Sequence, residues 1–140
     1  ANDKVFTADG WCRPRDVVRL EADGNIFYCD RDKDALKVGG ENVSAREVED
    51  ACRSVAGIED LAVVAKRHEM LDMVPVVFVI RAETAGPEAD MSAAIIAACR
   101  NVLADFKVPR AVYFVDEFPT AELGKISKKD LRELADSFDA

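Results

Sequence analysis

The sequence predicts an α+β fold: a short amino-terminal β segment, then a small domain with a β-hairpin and a three-stranded, mainly antiparallel sheet covered by about three helices. Three observations carry that expectation. Asp23-Gly24 separates two short apolar runs, a strong hairpin signal. Ser44-Ala-Arg-Glu47 opens a stretch in which Val48, Ala51, Cys52 and Val55 recur at helical spacing. Val74 to Ile80 is nearly all apolar, the pattern of a strand buried on both faces.

In chain order, Asp16 to Leu20 and Asn25 to Cys29 read as the strands joined at Asp23-Gly24. A second β unit covers Leu36 to Val43 with Gly39-Gly40 at its turn, since adjacent glycines reach positive φ without steric cost. In the helix that follows, Ser44 accepts from the third helical amide while Glu47 reaches back, and Gly57 supplies the stop. Leu61 to Ala65 and Val74 to Ile80 are strands, and "ETAGPEAD" is a loop. Asp90 or Ser92 caps a longer helix with Ile95, Ile96, Cys99, Val102, Leu103 and Phe106 as its core stripe. Val112 to Val115 adds a strand, and Ser127-Lys-Lys-Asp130 opens a terminal helix with Leu131, Leu134 and Phe138 on one face.

At 140 residues, 49% of them hydrophobic and 33% charged, the chain supports one core of a soluble globular protein. A net charge of −8 argues against a nucleic-acid surface, which needs clustered cations to replace counterions. The acidity is uneven: residues 34–105 carry 7 basic against 13 acidic side chains, residues 106–140 carry 6 against 7. Cys12, Cys29, Cys52 and Cys99 lack CxxC spacing, so neither metal nor disulfide use is expected and a reducing cytoplasm fits. No apolar run reaches the length of a membrane span and no signal sequence opens the chain. An opening without Met reads as a fragment or processed product.

Four stretches carry candidate chemistry. His68, the only histidine, reads as a loop residue between two strands with no second ligand nearby. Lys125 follows Gly124 in "PTAELGKISKK", either as a solvated charge or as a mobile ammonium offered to an anion. The charge cluster around Arg31 and Lys33 is either a solvated turn or an interdomain joint, where few residues absorb a large backbone change. Gly39-Gly40 is either a plain turn or bare backbone past which a ligand slides.

Taken together, "DGWCRPRDVVRL", "YCDRDKDALKVGGENVSAREVEDAC" and "FKVPRAVYFVDEFPTAELGKISKKDLR" resemble the carboxyl-terminal portion of the AMP-forming adenylating enzymes: acyl-CoA synthetases, peptide-synthetase adenylation domains and firefly luciferase. The resemblance covers nearly the whole chain. It implies that residues 1–33 are the last β-strands of a large amino-terminal adenylating domain up to a hinge, and that residues 34–140 form a mobile lid. By the same resemblance Asp16 holds the ribose hydroxyls of ATP, Arg31 lies near ribose and phosphate, and Lys33 is the hinge. Gly39 and Gly40 line a pantetheine tunnel, Lys37 is a possible second-step contact, and Lys125 touches carboxylate and phosphate during adenylation. ATP with Mg2+ and CoA are the implied substrates, with no cofactor held tightly by this chain and no resident metal. "KVGGENVS" looks most like acyl-CoA ligases, so CoA is the expected acceptor. The implied partner is the amino-terminal domain, without which no activity is expected, and Lys125 matches a lysine open to a lysine acetyltransferase. The alternative is a stand-alone module that binds CoA or a protein. Two departures stand out: "RPRD" puts Pro14 and Arg15 where the family has Thr and Gly, and Thr120 lies one place early in "PTAELGK".

Overall fold

The computed structural model describes residues 5–31 and 35–138. The chain divides into two compact units, Ala1–Ala35 and Leu36–Ala140.

In the first unit, β1 (Asp16–Leu20) pairs antiparallel with β2 (Ile26–Arg31), with a register shift between Val17 and Val18. The strands are joined by five residues rather than a two-residue turn, because Glu21 N donates to Asn25 O at 2.9 Å and closes a wider loop. At its apex the Asp23 carboxylate accepts from the Asn25 amide at 3.0 Å and its side-chain nitrogen at 2.8 Å. Those bonds, the backbone one first, hold the Asp23 carboxyl below the usual carboxylate range. Val17, Val18, Leu20, Ile26, Phe27 and Tyr28 are all exposed, so apolar groups from consecutive positions, and therefore both faces, of this hairpin meet water.

The second unit begins with β3 (Leu36–Val38) and β4 (Glu41–Val43), which pair about Gly39-Gly40. These glycines have φ of +57° and +88°, the left-handed pair that a two-residue hairpin needs. Ser44 caps α1 (Ala45–Cys52), its hydroxyl accepting from Glu47 N at 3.3 Å. Next come β5 (Ile58–His68), β6 (Asp72–Arg81), α2 (Glu88–Val102), a 3-10 turn at Asp105–Lys107 and β7 (Ala111–Phe114). A second 3-10 turn at Glu122–Gly124 leads to α3 (Lys128–Ser137), capped by Ser127, which accepts from Asp130 N. The sheet order is β5-β6-β7, with β5 and β6 antiparallel and β7 parallel to β6.

Alternation along these strands builds a core on each face. Leu61, Val63, Val77 and Val79 face Val48 and Cys52 of α1 and Met91, Ile95 and Cys99 of α2, together with the β3-β4 hairpin. Ala62, Val64, Val76 and Phe78 face Leu131 and Ala135 of α3. Both faces being covered explains why β6 is apolar without interruption. Among the described residues no helix is long and apolar enough to cross a membrane.

Four expectations change in detail. His68 is the last residue of β5, paired with Asp72, rather than a loop residue, because the hairpin continues past the apolar run. Helix α2 starts at Glu88 behind Pro87, whose carbonyl accepts from Met91 N at 3.1 Å, so Asp90 and Ser92 lie inside the helix rather than capping it. That helix stops at Val102, which is exposed, and Phe106 reaches the core from the separate 3-10 turn. Gly57 does not end α1, whose cap is Arg53; it makes the turn into β5 at φ +88°. A Cβ on Gly57 would lie 3.1 Å from Met91 Cε and 3.2 Å from Ala85 Cβ. Gly57→Ala is therefore expected to cost about 2 kcal/mol, combining left-handed strain with crowding, and urea unfolding measures it.

Cys52 on α1 and Cys99 on α2 are buried free thiols whose Sγ atoms lie 3.5 Å apart. The hydrogen bond to Cys99, and then burial, push the Cys52 thiol up.

Candidate functional site

The loop from Pro119 to Ser127 is closed by its own backbone. Ser127 N donates to Pro119 O at 2.8 Å, Ala121 N to Lys125 O at 2.7 Å and Gly124 N to Ala121 O at 3.2 Å, while Thr120 and Ile126 form a β-bridge. Its apex requires two successive left-handed residues, Leu123 at φ +67° and Gly124 at φ +72°. Gly124 takes that conformation freely; Leu123 does so under strain and with 95% of its surface exposed. Lys125 follows in extended conformation, exposed, with no ion-pair partner among the described residues. A cation held on a shaped loop without an internal counter-charge is available to an external anion.

The loop's exit is tied down. Lys128 Nζ donates to Glu49 Oε1 at 3.1 Å, and the same oxygen accepts from Val63 N at 3.0 Å. Strand β5 is an edge strand of its sheet, and Glu49 and Asp136 satisfy its outward amides at Val63 and Arg67. The sequence does not reveal Glu49 and Lys128 as a pair, because 79 positions separate them and each looks like an ordinary helix-surface charge. The only hint was Glu49 lying directly beside the core position Val48.

The Gly39-Gly40 turn lies elsewhere. Gly39 N donates to Leu71 O at 3.0 Å, in the turn between β5 and β6. The Lys125 loop instead follows β7 past Val115, whose amide donates to Val79 O near the far end of β6. The two features are thus based at opposite ends of the sheet. Among the described residues nothing lies within 4 Å of a Cβ built on Gly40, so the outer side of that turn is open backbone. Lys37 is exposed at the middle of β3, opposite Asn42.

Asp16 and Arg31 belong to the other unit, where their Cα atoms pair at the open end of the β1-β2 hairpin. For Arg31 only the backbone is described, and Lys33 lies outside the described residues. Arg15 has φ +62°, so the backbone ahead of Asp16 follows a path that glycine would reach without strain.

A family profile for the AMP-binding enzyme C-terminal domain matches residues 47–125. The chain belongs to this family. The matched stretch of this AMP-binding enzyme C-terminal domain runs from Glu47 at the start of α1 to Lys125 itself. The peroxisomal trans-cinnamate:CoA ligase of Petunia hybrida is 41% identical over 138 residues, which is 99% of this chain and 24% of that protein. The 2,3-dihydroxybenzoate-AMP ligase of Bacillus subtilis is 39% identical over 132 residues, 94% of this chain and 24% of that protein. Among solved structures, ATP-bound MatB from Rhodopseudomonas palustris matches with a TM-score of 0.84 at 27% identity, over 98% of this chain and 27% of that one. The chain thus spans about a quarter of the length of the curated relatives it matches.

Proposed function

We propose that residues 34–140 are the lid of an AMP-forming acid–thiol ligase, which joins a carboxylic acid to ATP as an acyl-adenylate and passes the acyl group to CoA. The observation that carries this reading is Lys125: an exposed cation on a closed loop, without an ion-pair partner among the described residues. In the first step a carboxylate oxygen attacks the α-phosphorus of ATP, and the bond to the pyrophosphate leaving group breaks. Lys125 offsets the negative charge gathering on the carboxylate and phosphate oxygens. Mg2+ arrives with ATP as part of that substrate.

In the second step the CoA sulfur attacks the acyl carbonyl and AMP leaves. The open outer side of Gly40 suits a slender pantetheine chain passing along bare backbone, with Lys37 on the adjoining strand as a further contact. Because the Lys125 loop and the glycine turn are based at opposite ends of one sheet, both steps use one active site only if the lid reorients between them. We assign that pivot to Lys33. Residues 1–33 would then complete the amino-terminal domain, in keeping with a hairpin whose apolar groups face water on both sides. Asp16 would hold the ribose there, with Arg31 beside it. Exposure of Lys125 also suits acetylation, which would remove the charge.

The domain joined to an amino-terminal adenylating domain is expected to catalyse carboxylate-dependent ATP–pyrophosphate exchange, and the domain alone to catalyse none. Absence of exchange from the joined protein across a panel of aromatic and aliphatic acids counts against the reading. So does micromolar CoA binding by the isolated domain in calorimetry, which favours a stand-alone module.

A further inference from the structure

We propose that Glu49 and Lys128 are positioning residues for Lys125, forming an ionic clamp that sets where the loop stands on the domain. The assignment of a purpose to the clamp rests on the function proposed for Lys125; the clamp itself rests on geometry.

The loop's internal hydrogen bonds fix its shape but not its direction, since every one of them joins two residues between Pro119 and Ser127. Its attachment to the body comes from its base. Phe118 and Ile126 pack against the α3 face of the sheet, and Ser127 begins α3. Apolar packing of two side chains is tolerant of small rotations, whereas a charged hydrogen bond is directional. The bonds that Ser127 accepts from Asp130 N and Leu131 N run only into α3, whereas Lys128, three residues beyond Lys125, supplies a directional contact to α1 and the sheet edge.

Its partner is well suited to the task. The Glu49 side chain is only 15% exposed and Lys128 only 30%, so the pair is shielded from salt far more than a surface bridge. The Val63 amide holds the accepting oxygen against the edge of β5, so the carboxylate is itself fixed before Lys128 reaches it. One oxygen therefore joins α1, β5 and the start of α3. By contrast Lys129, the next residue, meets Glu133 at 3.9 Å with both side chains largely exposed, a bridge that stays within its own helix. Helix α1 also follows directly from the hairpin that carries Lys37, Gly39 and Gly40. The clamp thus ties both candidate surfaces to one rigid frame, so that reorientation at the hinge moves them together.

The test is backbone 15N relaxation on the full 140-residue chain, comparing wild type with Lys128→Gln, Glu49→Gln and Lys128→Arg. Glu49→Gln keeps an oxygen for the Val63 amide, so the fold is preserved while the ionic contact is lost. In both Gln variants, order parameters at Gly124, Lys125 and Ile126 are expected to fall from about 0.85 to below about 0.6, with Leu61–Val64 and Val76–Val79 unchanged. Lys128→Arg is expected to restore them. An unchanged loop in the Gln variants overturns the clamp, and so does an equal loss throughout the sheet, which marks a general structural role. In the joined protein, Lys128→Gln is expected to slow exchange about tenfold in kcat with little change in the carboxylate KM, and Lys128→Arg to recover it. A wild-type joined protein without exchange overturns the function proposed for Lys125 while leaving the relaxation result to decide the clamp.

Discussion

Lys125→Ala is expected to reduce carboxylate-dependent pyrophosphate exchange by about 100- to 1,000-fold in the joined protein, the usual cost of removing one donor from developing charge. The thermal midpoint of the same variant is expected to stay within about 1 °C of wild type, because an exposed side chain without an ion-pair partner among the described residues contributes little to folding. Transfer from a preformed acyl-adenylate to CoA is expected to continue, since the route proposed for that step runs along the glycine turn rather than the Lys125 loop. The pattern separates three ideas by measurement alone. Exchange that survives removes Lys125 from the first step. Loss of both half-reactions points to a misplaced lid, and a lowered midpoint points to a structural lysine.

Phe78→Ala is expected to destabilise the domain by about 3–5 kcal/mol, the range for removing a fully buried aromatic ring. Phe78 lies on β6, the middle strand of the sheet, with no exposed surface, between Ala62 on β5 and Tyr113 on β7. Its ring centroid is 5.2 Å from that of Tyr113 and 6.4 Å from that of Phe138, and Tyr113 and Phe138 stack at 4.7 Å. Removing the ring opens a cavity beneath α3 that Leu131 and Ala135 cannot fill without shifting the helix. Phe78→Leu, which keeps most of the volume, is expected to cost appreciably less. Denaturant unfolding checks both, and a loss below about 1 kcal/mol for the Ala variant would mean that α3 does not seal this face. Because α3 begins three residues after Lys125, the same variant is expected to weaken exchange as well.

Local chemistry was legible wherever one short stretch decides its own conformation. Ser44 and Ser127 cap the helices expected of them, each bonding the amide three residues on. Gly39-Gly40 turns a hairpin through two positive φ angles. Legibility failed where partners outside the stretch decide. The apolar runs marked Leu61 to Ala65 and Val74 to Ile80, yet β5 and β6 extend over Ile58–His68 and Asp72–Arg81. The additional residues are mostly polar, and cross-strand pairing rather than burial keeps them extended. Gly57 read as a helix stop because glycine does that work often; the close approach of Met91 and Ala85 gives it another job.

The candidate site divides along the same line. Sequence alone determined the main strands and helices and their order, because caps, turns and periodicity act within a few positions, and its motifs carried the resemblance to the adenylating enzymes. Tertiary structure alone decided that Lys128 meets Glu49 across 79 positions, that Cys52 lies against Cys99, and that the Lys125 loop and the glycine turn are based at opposite ends of one sheet. Those relations depend on strand register and helix packing, in which each residue's neighbours come from distant parts of the chain and leave no periodic trace in the stretch around it.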